Sequence, residues 1–271
     1  MTRVGLAFHP ALAPWLDRAS SGVECVELVA ERFYEGSGGR HARELGARFP
    51  LVVRTRRLSL ASPEEADAGE LASLASFVAE TGAPWVSDHL GFRYAPGIDL
   101  GGSCPALLDR TSFDVVVERA LRAMEALRAS LLIRNLASPL VVRGSMSEPE
   151  FVDRLCEATG CGISLDATAL LVNARNHDFD PRRWLDAIDR SRVAQVHAGG
   201  CREIDGLWDD THDAPIDDDL CELLADVLGP GTVDTVILDW EARFPPAPVL
   251  DAELRRLKAL ADIHGHADAG R

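Results

Sequence analysis

The sequence contains no apolar stretch of about 18 residues, so nothing in it is suited to crossing a membrane. It has no C-x-x-C pair. Cys25, Cys104, Cys156, Cys161, Cys201 and Cys221 are scattered, which argues against a zinc ribbon or a thioredoxin-type motif. It opens on M-T-R-V-G, without the apolar core of a secretory signal. No internal repeat and no low-complexity linker interrupts it. Positive charge is scarce: 28 Lys and Arg stand against 43 Asp and Glu, for a formal net charge of −15. Without a basic patch to neutralise phosphates, neither nucleic acid nor an anionic membrane is an expected partner. The bland reading of that charge is solubility. A cytoplasmic protein with reduced thiols is expected.

What is present is an alternation. Short apolar runs recur at 4–8 (VGLAF), 23–29 (VECVELV), 50–53 (PLVV), 84–87 (PWVS), 130–133 (SLLI), 162–165 (GISL), 193–197 (VAQVH) and 233–239 (VDTVILD). Such runs, mostly bounded by Gly, Pro or a charge, read as buried parallel strands. Between them lie amphipathic segments. Residues 111–128 gather Phe113, Val116, Val117, Ala120, Leu121 and Met124 on one face. Residues 147–159 open on Ser147 and Glu150 at capping-box spacing and stop before Gly160. Helices are also expected at 63–81, 180–190, 216–228 and 247–263, with shorter ones near 10–19 and 39–47. Eight strands alternating with helices in 271 residues, 46% of them apolar, predict a single α/β domain. The expected fold is a (β/α)₈ TIM barrel over residues 1–264, followed by a tail at 265–271. A doubly wound open sheet would more often carry a Gly-rich first turn, and 9–15 (HPALAPW) has none.

In a barrel, chemistry sits where strands end. Taken in order, the strand ends offer His9, Glu27 and Glu31, Arg54, Asp88 and His89, Arg134 and Asn135, Asp166, His197, and Asp239 with Glu241. The loop after the seventh strand adds Asp210, His212 and Asp213. Any one of these has an ordinary structural reading, since a strand-end Asp often caps the next helix. Together, carboxylates and imidazoles converging on one mouth are a ligand set for a divalent ion such as Fe, Mn or Zn. The D-T-H-D-A-P stretch also suits a plain turn into the following helix.

These motifs carry a family resemblance. V-S-D-H-L (86–90), L-I-R-N (132–135), T-G-C-G-I-S-L-D-A-T (159–168), A-R-N-H-D-F-D-P (174–181), V-H-A-G-G (196–200), D-T-H-D-A-P (210–215) and I-L-D-W-E (237–241) occur in one order. The chain thereby resembles, over nearly its whole length, the multinuclear non-heme iron-dependent oxidases of the methanobactin synthase iron-subunit type. The resemblance implies a barrel holding two or three irons. It implies oxygen-dependent modification of a ribosomally made peptide, commonly at cysteine. It also implies a small partner protein that presents the peptide. By position, the family's metal ligands match His89, Asp166, His197, Asp210, His212 and Asp239, the last usually Glu.

The chain departs from the family's pattern at the third and fifth strands. Arg54 stands where the family has His, in V-R-T-R-R-L-S-L (53–60), and Arg134 stands where it has Glu, beside a retained Asn135. Ala169 replaces an Asn, and Cys201 replaces a His that some members also lack. A guanidinium has no lone pair for a metal and stays charged. One iron position is therefore expected to be lost, with the two arginines filling it beside Asp88 or turned out to solvent. The remaining ligands suffice for one iron, two at most, and a fully degenerate member would hold none. Three readings stay open. In the first, the chain is a divergent iron-dependent peptide oxidase in which Arg54, Arg134 and Asn135 bind substrate. In the second, it is a non-catalytic relative that binds a peptide or partner within a modification complex. A sugar-isomerase-like barrel uses similar ligands and is a third.

Overall fold

In the computed structural model, residues 19–21, 35, 66, 96, 143, 230–231 and 265–271 are not described, and the expected tail at 265–271 falls outside the described residues. The strands are β1 (Arg3–Ala7), β2 (Cys25–Val29), β3 (Leu51–Arg54), β4 (Trp85–His89), β5 (Gly91–Ala95), β6 (Ile98–Pro105), β7 (Ser130–Arg134), β8 (Gly162–Asp166), β9 (Val193–Ala198), β10 (Arg202–Ile204), β11 (Leu207–Asp209) and β12 (Thr235–Leu238). Eight of them close into a barrel in the order β1-β12-β9-β8-β7-β4-β3-β2. Each predicted apolar run supplies one barrel strand. These runs are buried on both faces, so their composition announces them without alternation.

The helices are α1 (Ala13–Leu16), α2 (Gly38–Gly46), α3 (Ala68–Thr81), α4 (Arg110–Leu127), α5 (Glu148–Thr159), α6 (Ala167–His177), α7 (Pro181–Asp186), α8 (Asp218–Leu228) and α9 (Ala247–His264). The N-cap expected at Ser147 forms: its hydroxyl accepts from the Glu150 amide, while the Glu150 carboxylate lies 2.9 Å from Arg154, and Gly160 ends α5 in a left-handed conformation at φ +76°. The helix expected near 10–19 is instead a 3₁₀ turn, Pro10–Leu12, running into the single turn of α1. Helix α6 has no counterpart among the expected helices, because no loop separates it from its strand. Asp166 is at once the last residue of β8 and the N-cap of α6.

The chain divides into two compact units, Met1–Glu27 with Leu165–Arg271, and Leu28–Ser164. In the first, Leu220, Leu224, Leu250, Leu254 and Leu257 of α8 and α9 are buried, along with Trp15 of α1. In the second, α4 and α5 meet through Phe113 and the fully buried Phe151, edge to face with ring centroids 5.2 Å apart.

Two antiparallel hairpins lie outside the barrel sheet, β5–β6 and β10–β11. The second turns on Asp205 and Gly206, both at positive φ, as a tight two-residue hairpin turn requires. It delivers the chain directly to Asp210. No described helix is long and apolar enough to cross a membrane.

Candidate metal centre

The first unit gathers three of the expected ligands. Asp166, Asp210 and His212 each place a ligand atom within 4.8 Å of the others. The Oδ1 of Asp166 caps α6 by accepting from the Ala169 amide at 2.9 Å. Its Oδ2 lies 3.5 Å from His212 Nε2, and Asp210 Oδ2 lies 4.0 Å from the same nitrogen. Both distances are too long for a good hydrogen bond. Neither ring nitrogen of buried His212 has a hydrogen-bond partner. Asp239, also buried, follows β12, and its amide donates to Ala198 O at 2.9 Å. Burial disfavours the charged imidazole of His212. The carboxylates of Asp166, Asp239 and Asp210 outweigh that and raise its pKa to about 9.

Why the loop folds onto this spot is written in the V-H-A-G-G motif. A Cβ on Gly199 would stand 2.3 Å from His212 Nδ1 and 2.4 Å from Asp239 O, and one on Gly200 would stand 2.1 Å from Ala214 O. Only glycine admits the loop so close to β9. His212 itself is held at φ +44°, a left-handed backbone that a non-glycine residue keeps only under constraint. Part of that constraint is Asp213. Its Oδ1 accepts from Arg202 Nε at 2.7 Å and from the Thr211 hydroxyl at 2.6 Å, and Arg243 Nε is 3.2 Å from Oδ2. Burial works against the Asp213 charge, yet the Thr211 and Arg202 hydrogen bonds prevail and keep its carboxyl below the ordinary range. The two carboxylates of D-T-H-D thus divide their work: Asp210 faces the imidazole and Asp213 anchors the loop.

His197 lies in a different pairing. Its Nε2 is 2.8 Å from Glu27 Oε1, and Gln195 Nε2 donates to the same oxygen at 2.7 Å. All three side chains are fully buried. Glu27 is among the strand-end residues but has no ligand role in that reading, and Gln195 escapes such a reading altogether. The available signal is a pair of polar residues two apart, Gln195 and His197, in an otherwise apolar strand, together with a Glu inside V-E-C-V-E-L-V. His9 caps the first 3₁₀ turn through Nδ1 and stacks on Phe244 at 4.5 Å, a structural employment.

The second unit holds Arg54, His89, Arg134 and Asn135. Arg54 is in register with Ser87, and Arg134 with both His89 and Ser164. Both guanidiniums are buried at 2% exposure, so neither turns out to solvent. The Asp88 carboxylate accepts from the amides of Leu58, Ser59 and His89. Burial still pushes its pKa up to about 7, and the nearby Glu31 charge adds to the rise. His89 Nδ1 is 4.0 Å from Asp88 Oδ1. Among the described residues, the only group of three or more His, Cys, Asp and Glu side chains close enough to share an ion is that of Asp166, Asp210 and His212. Cys201, left open by the sequence, is half-buried with its Sγ 3.3 Å from Arg175 Nη1.

An acid- and imidazole-lined cluster after the strands of a (β/α)₈ barrel is a donor set that could hold a divalent ion. The family model of the RiPP precursor modification enzymes MbnB/TglH/ChrH matches residues 3–262, and the chain belongs to that family. A UPF0276 protein of Rhizorhabdus wittichii is 32% identical over 250 residues, 91% of this chain and 89% of that protein. One from Streptomyces avermitilis is 31% identical over 270 residues, 96% of this chain, which spans only 55% of that protein's length. Among solved structures, endonuclease IV from Thermus thermophilus is similar with a TM-score of 0.63 at 19% identity, covering 96% of this chain and 99% of that one. That likeness is one of fold alone.

Proposed function

We propose that this chain is a metal-dependent enzyme that oxidises a side chain of a ribosomally made precursor peptide at a reduced metal site. Asp166, Asp210 and His212 hold the ion, and Asp239 adds negative charge beside them. The observation that carries this is His212: a buried imidazole, strained at its backbone, with two ring nitrogens lacking hydrogen-bond partners and carboxylates around it. Such a donor set fits a divalent ion of the iron, manganese or zinc kind. Iron, when bound, would supply redox chemistry with oxygen. The residues themselves fix the ligand geometry and exclude water, since Asp166 and His212 are buried. His197, oriented by Glu27, and His89, at the end of β4, are assigned as further ligands. Arg54, Arg134 and Asn135 are assigned to substrate, because a guanidinium grips a peptide carboxylate in bidentate fashion. A small presenting protein is part of the same proposal.

A second role, as a peptide-binding subunit without catalysis, is favoured by the two buried arginines in place of family ligands. One experiment separates the two. Iron-loaded protein is incubated in air with each short peptide that its gene neighbourhood is found to encode, and the peptide is weighed by mass spectrometry. Catalysis predicts a mass change that disappears under nitrogen and in the His212→Ala variant. An unmodified peptide that nevertheless co-elutes with the protein would sink the oxidase proposal and leave the binding role.

A further inference from the structure

The motif A-R-N-H-D-F-D-P has no part in the metal centre as described, yet it opens on two residues placed to control it. Arg175 and Asn176 sit in the last turn of α6, the helix whose N-cap is Asp166. They face the strap of chain from residue 201 to residue 217, which contains hairpin β10–β11 and then Asp210 and His212. Asn176 holds the backbone of Trp208 from both sides: its Nδ2 donates to Trp208 O at 2.7 Å, and its Oδ1 accepts from Trp208 N at 2.8 Å. A side-chain amide satisfies both groups of one peptide residue as a neighbouring strand would. Arg175 touches the strap at three places. Its Nη1 is 3.3 Å from Cys201 Sγ at the start, its guanidinium lies 4.1 Å from the centre of the Trp208 ring in the middle, and its Nη2 donates to Asp217 at 2.9 Å at the end. A planar, five-donor group can make such divergent contacts, and an ammonium cannot.

We infer that Arg175 and Asn176 are positioning residues that clamp the 201–217 strap and so set the placement of Asp210 and His212 against Asp166. The need for a clamp follows from the strap itself. His212 sits in a left-handed backbone that reverts unless its neighbours over-determine it. Both ends of α6 then serve one site: Asp166 at the N-terminus supplies a ligand, and the Arg175–Asn176 pair at the C-terminus holds the other two in place. The clamp's effect on metal rests on the metal assignment above. Its mechanical action does not.

The test is an anaerobic titration with cobalt(II), read by its visible absorption. It is paired with amide hydrogen exchange over residues 202–213 of the metal-free protein and with the thermal midpoint. Asp166→Ala serves as the loss-of-site control. Asn176→Ala is expected to bind cobalt about tenfold more weakly, the usual scale for removing an outer support of a ligand. Exchange over 202–213 accelerates while exchange over α4 and α5 stays unchanged. Asn176→Asp keeps an acceptor for the Trp208 amide but sets a carboxylate oxygen against the Trp208 carbonyl, so it is expected to lose affinity and protection as Asn176→Ala does. Arg175→Lys, which keeps the charge and loses the stack, weakens cobalt binding as well and covers the case that Asn176→Ala does not fold. Variants matching the unsubstituted protein in both affinity and exchange would overturn the inference. If the unsubstituted protein itself takes up no cobalt, the functional proposal falls and exchange alone judges the clamp: faster in Asn176→Ala upholds it, unchanged rejects it.

Discussion

His212 titrates in a direction set by its surroundings, and that gives the residue scale its sharpest consequence. Its folded pKa, about 9, lies above the ordinary 6.5 of an imidazole. The metal-free protein therefore binds a proton there that the unfolded chain releases, so the stabilisation is complete below pH 6.5 and is lost as pH rises through 9. A His212→Gln variant lacks it. The gap in thermal midpoint between the metal-free protein and this variant should be constant below pH 6.5 and shrink steadily toward pH 9, by differential scanning calorimetry. A gap that widens with pH would contradict the charge assignment. A metal needs the neutral imidazole, so loading the site should also abolish this pH dependence.

At the scale of elements, the seat of the strap is what a substitution can break. Gly199→Ala would push a Cβ against His212 Nδ1 and against the carbonyl of Asp239, and a carbonyl cannot swing aside as a side-chain tip can. Metal affinity should fall about tenfold or more, and overpacking of this kind costs about 1–3 kcal/mol of stability. Titration and thermal melts check both, and an unchanged affinity would mean that the strap does not need its close approach to β9. Legibility also differs by element. The barrel strands can be read because buried parallel strands are continuous apolar runs, whereas α6 is invisible because Asp166 ends a strand and starts a helix with nothing between. The hairpins escape for another reason. Ile98–Pro105 carries two adjacent glycines and is largely exposed, so neither apolar alternation nor a clean turn marks it.

The whole molecule shows where sequence stops and tertiary contact begins. Asp166, Asp210 and His212 can be singled out from strand ends and one loop, since a barrel always presents those positions to its mouth. The engagement of His197 by Glu27 cannot, because it joins residues 170 apart in sequence through a contact that only the closed fold creates. Arg54 and Arg134 are conspicuous as departures from a family pattern, but their burial is settled only by the fold. The formal charge of −15 sets no partner by itself; screening by salt would expose any role it has in drawing in a basic peptide segment. The central claim is that one cluster in this family member still holds a metal. The most direct measurement is elemental analysis of protein purified anaerobically from iron-supplemented cells, beside the Asp166→Ala and His212→Ala variants with circular dichroism as a check on folding. About one iron per chain in the unsubstituted protein, lost from both folded variants, is the predicted result. A well-folded protein without tightly held metal, or variants that keep it all, would contradict the account.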